Sequence, residues 1–269
     1  MIAAPAGGVV SESALFDALA AAKVVYAGEK HDDAMAHRIQ LAVLKGLHAR
    51  KPKLAVGLEM VSRDKQSTLD DWSSGRMSDA DFKAFWAKAW GFEYSLYAPI
   101  LEYAKSNGIP LKALNAPIAV VSRVYARGLI GLTPEERAQL PAVVAPIADA
   151  DYLAYATRAM TEGHGNVTPE RLARMLEAQQ AWNETMGESV LAALDGGADC
   201  VLVIAGSGHM LYRSGIAESV ARRRAEAQKV VLPFPDGEPP APLDELLRKL
   251  RDPVEGRLKM ADFFWLTPS

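Results

Sequence analysis

The chain has 269 residues, 49% of them apolar and 23% charged, a composition that excludes disordered, fibrous and disulfide-rich classes and leaves room for a sizeable core. Thirty Lys+Arg against 33 Asp+Glu give a net charge of −3, without the basic excess of a nucleic-acid binder, so no nucleic-acid partner is expected.

In chain order, the opening MIAAPAGG lacks the charged and apolar regions of a signal peptide, which points to a cytoplasmic protein or to a mature segment. Lys23 to Gly28 is a short apolar run that reads as a strand, and so do Leu54 to Glu59 and Pro110 to Asn115. Between the first two, Ile39, Val43 and Leu47 recur every four residues, as a crossover helix packed on a parallel sheet requires. Phe82 to Tyr97 packs seven aromatics into 16 residues, read as core packing beside the sheet in preference to a cradle for a planar ligand. Residues 116–168 are Ala-rich and broken by Pro117, Pro134, Pro141 and Pro146, a helical cap insertion within a single α/β domain spanning 1–269. Thr133-Pro134-Glu135 and Thr168-Pro169-Glu170 each have the cap, first-turn proline and early acid of a helix start.

The spacing predicts a long helix over 171–194, a strand over 200–205, a helix over 216–227 and a strand over 230–232. Arg222, Arg223 and Arg224 read as a solvated helix face. Residues 233–242 hold five of the 16 prolines and read as a surface loop that excludes a helix or central strand. A helix over 243–250 and a terminal strand over 261–266 follow. The expected fold class is therefore α/β, a mostly parallel sheet flanked by helices, with a helical cap. No apolar window is long enough for a transmembrane segment. Cys200 is the only cysteine, so intrachain disulfides and Cys-pair zinc sites are excluded, and its apolar surroundings predict a buried, inert thiol.

In parallel α/β sheets ligands bind beyond the carboxyl ends of the strands. Here those ends carry Gly28-Glu29-Lys30-His31, Gly57-Leu58-Glu59, Asn115 and Gly206-Ser207-Gly208-His209, which predicts one polar pocket of Glu29, His31, Glu59 and His209, supported by Asn115 and Arg63. Two imidazoles with carboxylates suit a divalent metal, or a general base with an orienting acid. His37 and His48 lie in the crossover helix and read as structural.

The ordered set Tyr26-Ala27-Gly28-Glu29-Lys30-His31-Asp32, Gly57-Leu58-Glu59-Met60, Trp86 to Phe92, Tyr97 to Ile100, Ala113 to Pro117, Ala178 to Met186, Gly206 to His209 and Ala261 to Trp265 resembles the ChaN-like haem-binding (iron-regulated lipoprotein) family over nearly the whole chain. That family is grouped with erythromycin-esterase-like and TIKI/TraB proteins, which share two G-x-x-H motifs and a glutamate, matched here by Gly28 to His31, Gly206 to His209 and Glu59. The resemblance implies an α/β fold with a helical cap, binding of haem or another iron compound in uptake or traffic, and a ligand-promoted homodimer. It also implies a periplasmic or outer-membrane-anchored setting, although no lipobox cysteine is present.

Candidate axial ligands in the insertion are His164, Tyr152, Tyr155, Tyr125 and Met160. His164 is favoured for its Gly-flanked position, and Arg123, Arg127 and Arg158 are candidates for propionate pairing. The other reading is a metal-dependent hydrolase using the Glu/His pocket.

Overall fold

The apolar runs become strands: β1 (Ile2–Ala3), β2 (Val9–Val10), β3 (Val24–Glu29), β4 (Leu54–Ser62), β5 (Leu111–Asn115), β6 (Cys200–Gly206), β7 (Gln228–Phe234) and β8 (Phe263–Leu266). They form one sheet in the order β2-β1-β8-β7-β3-β6-β4-β5. The six strands from β8 to β5 run parallel, and the short β1 and β2 add an antiparallel edge. The computed structural model describes residues 2–3, 8–162, 166–235, 241–252 and 255–268.

Side chains alternate across a strand, so each buried strand feeds two cores. Val25, Ala27, Leu202 and Ile204 face one side. There they meet α1 (Glu12–Ala20), α2 (Ala34–His48), α3 (Gln66–Ser73), α4 (Asp79–Ala89) and α5 (Tyr94–Ser106). Val24, Tyr26, Val201 and Val203 face the other, against α8 (Ala150–Glu162), α9 (Pro169–Asp195), α10 (Ile216–Arg223) and α11 (Leu243–Arg251). Each fully buried Leu, Val or Phe there contributes roughly 1.5–3 kcal/mol.

Between β5 and α8 lie α6 (Ile118–Arg127) and α7 (Pro134–Arg137). Val120, Val121 and Val124 of α6 pack on Ala178 and Ala181 of α9. Thr133 closes a capping box with Glu136, and the Thr168 side chain caps Arg171 N–H, as both Thr-Pro-Glu signatures predict.

Three local expectations change. Pro233 and Phe234 belong to β7, because the ladder to β3 ends at Val231 and only β8 pairs beyond it, leaving room for a residue without an N–H. Residues 236–240 of the proline-rich segment lie outside the described residues. α10 stops at Arg223, where Arg224 turns extended with φ −155°. Arg222 and Arg223 do not form a merely solvated face, since both contact the carboxylate of buried Glu184. Cys200 is buried, as expected, and burial pushes its thiol up to about 11.

Candidate ligand-binding site

β3, β6, β4 and β5 are consecutive in the sheet, so their carboxyl ends stand side by side. Glu29, the last residue of β3, is only 2% exposed. Its Oε1 accepts from Tyr97 O–H at 2.6 Å and from His31 Nδ1–H at 2.8 Å, and its Oε2 accepts from Gln40 Nε2 at 2.7 Å. Such a carboxylate is held rigidly and in turn fixes the ring of His31. Burial works against the charged form of His31, but the bond to Glu29 and the negative charges of Glu59 and Glu29 outweigh it and raise its pKa. The Tyr97 hydroxyl, desolvated and facing Glu29, is shifted far up and stays protonated as a donor.

The second pair is Glu59 and His209, whose Oε1 and Nε2 lie 3.2 Å apart. Glu59 Oε2 accepts from Gly206 N–H at 2.6 Å, and Asn115 Nδ2 donates to the Glu59 carbonyl at 2.9 Å. Burial opposes ionisation of Glu59, yet His209, His31 and the Gly206 N–H together hold its carboxyl below the usual range. Asn183 Oδ1 accepts from His209 Nδ1–H at 2.7 Å. The amide of Asn183 is oriented by donating to Gln180 Oε1 at 2.8 Å and to Tyr152 Oη at 3.2 Å.

The glycines of both G-x-x-H motifs answer to packing. A Cβ on Gly206 would sit 2.8 Å from His31 Cε1, and one on Gly28 would sit 2.5 Å from Leu232 Cδ2. Larger residues would push His31 or Leu232 out of place.

Glu29, His31, Glu59 and His209 thus meet at one sheet edge, and two cavities open from it. The first, of about 430 Å³, runs between this edge and α8, bordered by His31, His209, Tyr155, Ala156, Ala159 and Met160. The second, of about 510 Å³, extends toward α4 and α6 and is bordered by His31, His209, Glu59, Trp90, Asn115 and Trp182.

The expected divalent-metal role gains no support. Among the described residues no group of three or more His, Cys, Asp or Glu side chains is arranged to hold a metal ion. The carboxylate oxygens of Glu29 and Glu59 are engaged by Tyr97, Gln40, Gly206 and the two imidazoles.

Residues 15–220 match the family described as "Haem-binding uptake, Tiki superfamily, ChaN". The chain belongs to this family. Its fold is similar to that of ChaN of Campylobacter jejuni, a structure described as showing cofacial heme binding, with a TM-score of 0.73 at 18% identity over 98% of this chain and 94% of that one. The likeness extends to the erythromycin esterase EreC in its open conformation, with a TM-score of 0.52 at 11% identity over 87% and 76% of the two chains. In sequence, the chain is 26% identical to RETICULATA-RELATED 5, a chloroplastic protein of Arabidopsis thaliana, over 93% of this chain. It spans 35% of that relative's length. Among the described residues no helix is long and apolar enough to cross a membrane.

The haem-ligand candidates of this family member separate clearly. Tyr152 is fully buried, with its hydroxyl donating to the Gly208 carbonyl at 2.8 Å, so it braces the second G-x-x-H loop and lines neither cavity. Tyr155 and Met160 border the first cavity. Tyr125 accepts from Arg171 at 2.9 Å on α6, and Arg123 pairs with Glu136 at 2.5 Å; neither borders either of these two cavities. His164 lies outside the described residues.

Arg63 is also displaced from its expected role. It pairs with Glu188 at 2.7 Å and donates to the Gln139 carbonyl, away from both cavities, because β4 runs on to Ser62 and carries it past the pocket.

Sequence reasoning missed several neighbours. His37, assigned a structural place away from the crevice, has Nδ1 at 3.4 Å from Glu29 Oε2 and donates from Nε2 to the His31 carbonyl at 3.1 Å. Gln40, three residues on, shares that helix face, a spacing visible in the sequence. His48 is remote, paired with Tyr103 Oη at 3.0 Å. The aromatic run divides: Phe82, Trp86 and Tyr97 are buried, whereas Trp90 and Phe92 pack on His31 with ring centroids at 4.9 and 4.8 Å. Gln179 and Asn183, one turn apart on α9, both face His209.

Proposed function

We propose that the chain is a haem-binding protein that takes the porphyrin into the first cavity, against α8. The observation that carries this reading is the composition of the α8 wall. Tyr155, Ala156, Ala159 and Met160 border the cavity together, combining an oxygen or sulfur donor with two alanines small enough to let a flat ring approach. This fits haem, whose iron accepts Tyr, Met or His and whose faces need apolar cover. Tyr155 is the proposed axial ligand, in place of His164, because its side chain borders the cavity.

When bound, haem supplies an iron centre and a planar apolar surface. The chain's own residues position it: His31, set by Glu29, and His209, set by Asn183, border the cavity. Exposed Lys30, paired with Asp32 at 3.5 Å, stands at the rim within the same lining and suits a propionate.

Membership in a family described by haem uptake supports a role in uptake or traffic. Exposed Ile118, Ile130, Val143 and Leu153 lie on the insertion, and Ile130 is 98% exposed. Covering these exposed side chains is the gain expected from a homodimer that haem promotes.

Haem titration followed in the visible region tests the reading. Wild type is expected to give a phenolate-type spectrum that Tyr155→Phe abolishes, with an elution shift to dimer on loading. An unchanged spectrum in Tyr155→Phe together with its loss in His164→Ala would move the ligand to His164, and no binding by wild type would end the proposal.

A further inference from the structure

The second cavity is distinct from the one assigned to haem: it opens on the other side of His31 and His209, toward α4 and α6, and Tyr155 and Met160 do not border it. Its walls include Met60, Phe85, Trp90, Ala116 and Trp182, a set of flat and apolar surfaces. At about 510 Å³ it has the size of a small-molecule site.

Charge decides what kind of molecule suits it. One carboxylate borders the cavity, that of Glu59, and it is already taken by Gly206 N–H and His209. Against it stand Lys65 and Lys88, both exposed at the rim. Lys65 is paired with Asp64 at 2.8 Å. Lys88 makes no ion pair among the described residues, and so carries an uncompensated positive charge beside an aromatic wall.

We propose that the second cavity is a binding site of its own for a small organic carboxylate with a flat apolar body, its anionic group at Lys88 and its body against Trp90 and Trp182. A flat body gains from the offset or edge contacts that indole rings offer, while the carboxylate gains a cation at no cost of breaking an existing pair. His31 and His209 border both cavities, so the site lies next to the proposed haem site without sharing its α8 wall. The proposal does not depend on the haem reading.

Naphthalene-2-carboxylate titrated into the full chain, with the indole N–H signals followed by NMR, tests it. Trp90 and Trp182 are expected to shift saturably while Trp72 and Trp265, which border neither cavity, stay in place. Lys88→Glu is expected to weaken binding roughly tenfold, and Lys88→Arg to preserve it. The uncharged naphthalene-2-carboxamide should bind about tenfold more weakly than the carboxylate.

Equal binding by Lys88→Glu, or shifts that spare Trp90 and Trp182, would overturn the proposal. So would loss of those shifts on loading with haem, which would show one shared site. Saturable shifts in a protein that fails to bind haem would support this site and count against the haem reading alone.

Discussion

Glu59 Oε2 and the backbone N–H of Gly206 are joined by a 2.6 Å hydrogen bond across 147 residues of sequence. It ties β4 to the end of β6 at the point where His31 and His209 converge. The bond explains why a buried carboxylate stands there ionised: a backbone donor and two imidazoles compensate its burial.

The two shifted groups define a pH window. His31 has its pKa raised above the ordinary 6.5, so its contribution to stability is complete below that value and is lost as pH rises through the folded-state value. Glu59 is lowered below the ordinary 4.5, so its contribution is complete above that value and is lost as pH falls through the folded-state one. Both are present between 4.5 and 6.5. Unfolding free energies across the acid and neutral range should show His31→Gln most costly at the acid side of neutrality and Glu59→Gln most costly above the carboxylate range. A pH-independent difference in either variant would contradict the assignment.

Gly206→Ala isolates the close approach of His31. Gly206 has φ −55° and ψ 136°, a conformation any residue adopts, so the effect is purely steric. With the new Cβ at 2.8 Å from His31 Cε1, a loss of roughly 1–3 kcal/mol is expected, together with a displaced His31 ring signal by NMR. Wild-type stability with an unmoved His31 would refute the packing account.

Tyr152 and Tyr155 should separate stability from binding. Tyr152→Phe removes the donor to the Gly208 carbonyl and an acceptor for Asn183, at a cost of about 1–3 kcal/mol, while any haem spectrum is retained. Tyr155→Phe should do the reverse. Denaturant melts paired with visible spectra check both, and identical behaviour of the two variants would undo the distinction.

Glu184 is 1% exposed and contacts Arg222, Arg223 and Ser219. Glu184→Ala removes the shared acceptor beside the α9–α10 contact and leaves Arg222 with Glu218 and Arg223 with Ser219, so a loss of about 1–3 kcal/mol in chemical denaturation is expected. A loss below 1 kcal/mol, the ordinary range of exposed pairs, would show that solvent already screens the cluster.

The Cys200 thiol, buried and raised to about 11, is expected to resist a disulfide reagent in the folded chain and to react at the rate of unfolding. Rapid modification under native conditions would show that the central strand opens locally.

Periodicity and strand-end chemistry were enough to determine the parallel sheet, its long helices and the meeting of Glu29, His31, Glu59 and His209, because burial imposes a local pattern on strands and a common edge on their ends. The Thr-Pro-Glu starts were legible for the same reason: a cap is a contact between residues three apart. What only the tertiary structure decided depends on distances between remote segments. Strand order, with β6 between β3 and β4, placed Gly206 against Glu59. The approach of α5 and α9 brought Tyr97 to Glu29 and Asn183 to His209, partners 68 and 26 residues apart. The direction of each side chain on α8 turned Tyr152 into the core and Tyr155 toward the cavity, and the path of α2 put His37 beside Glu29. No local pattern encodes these contacts, since each is set by how two independently formed elements pack.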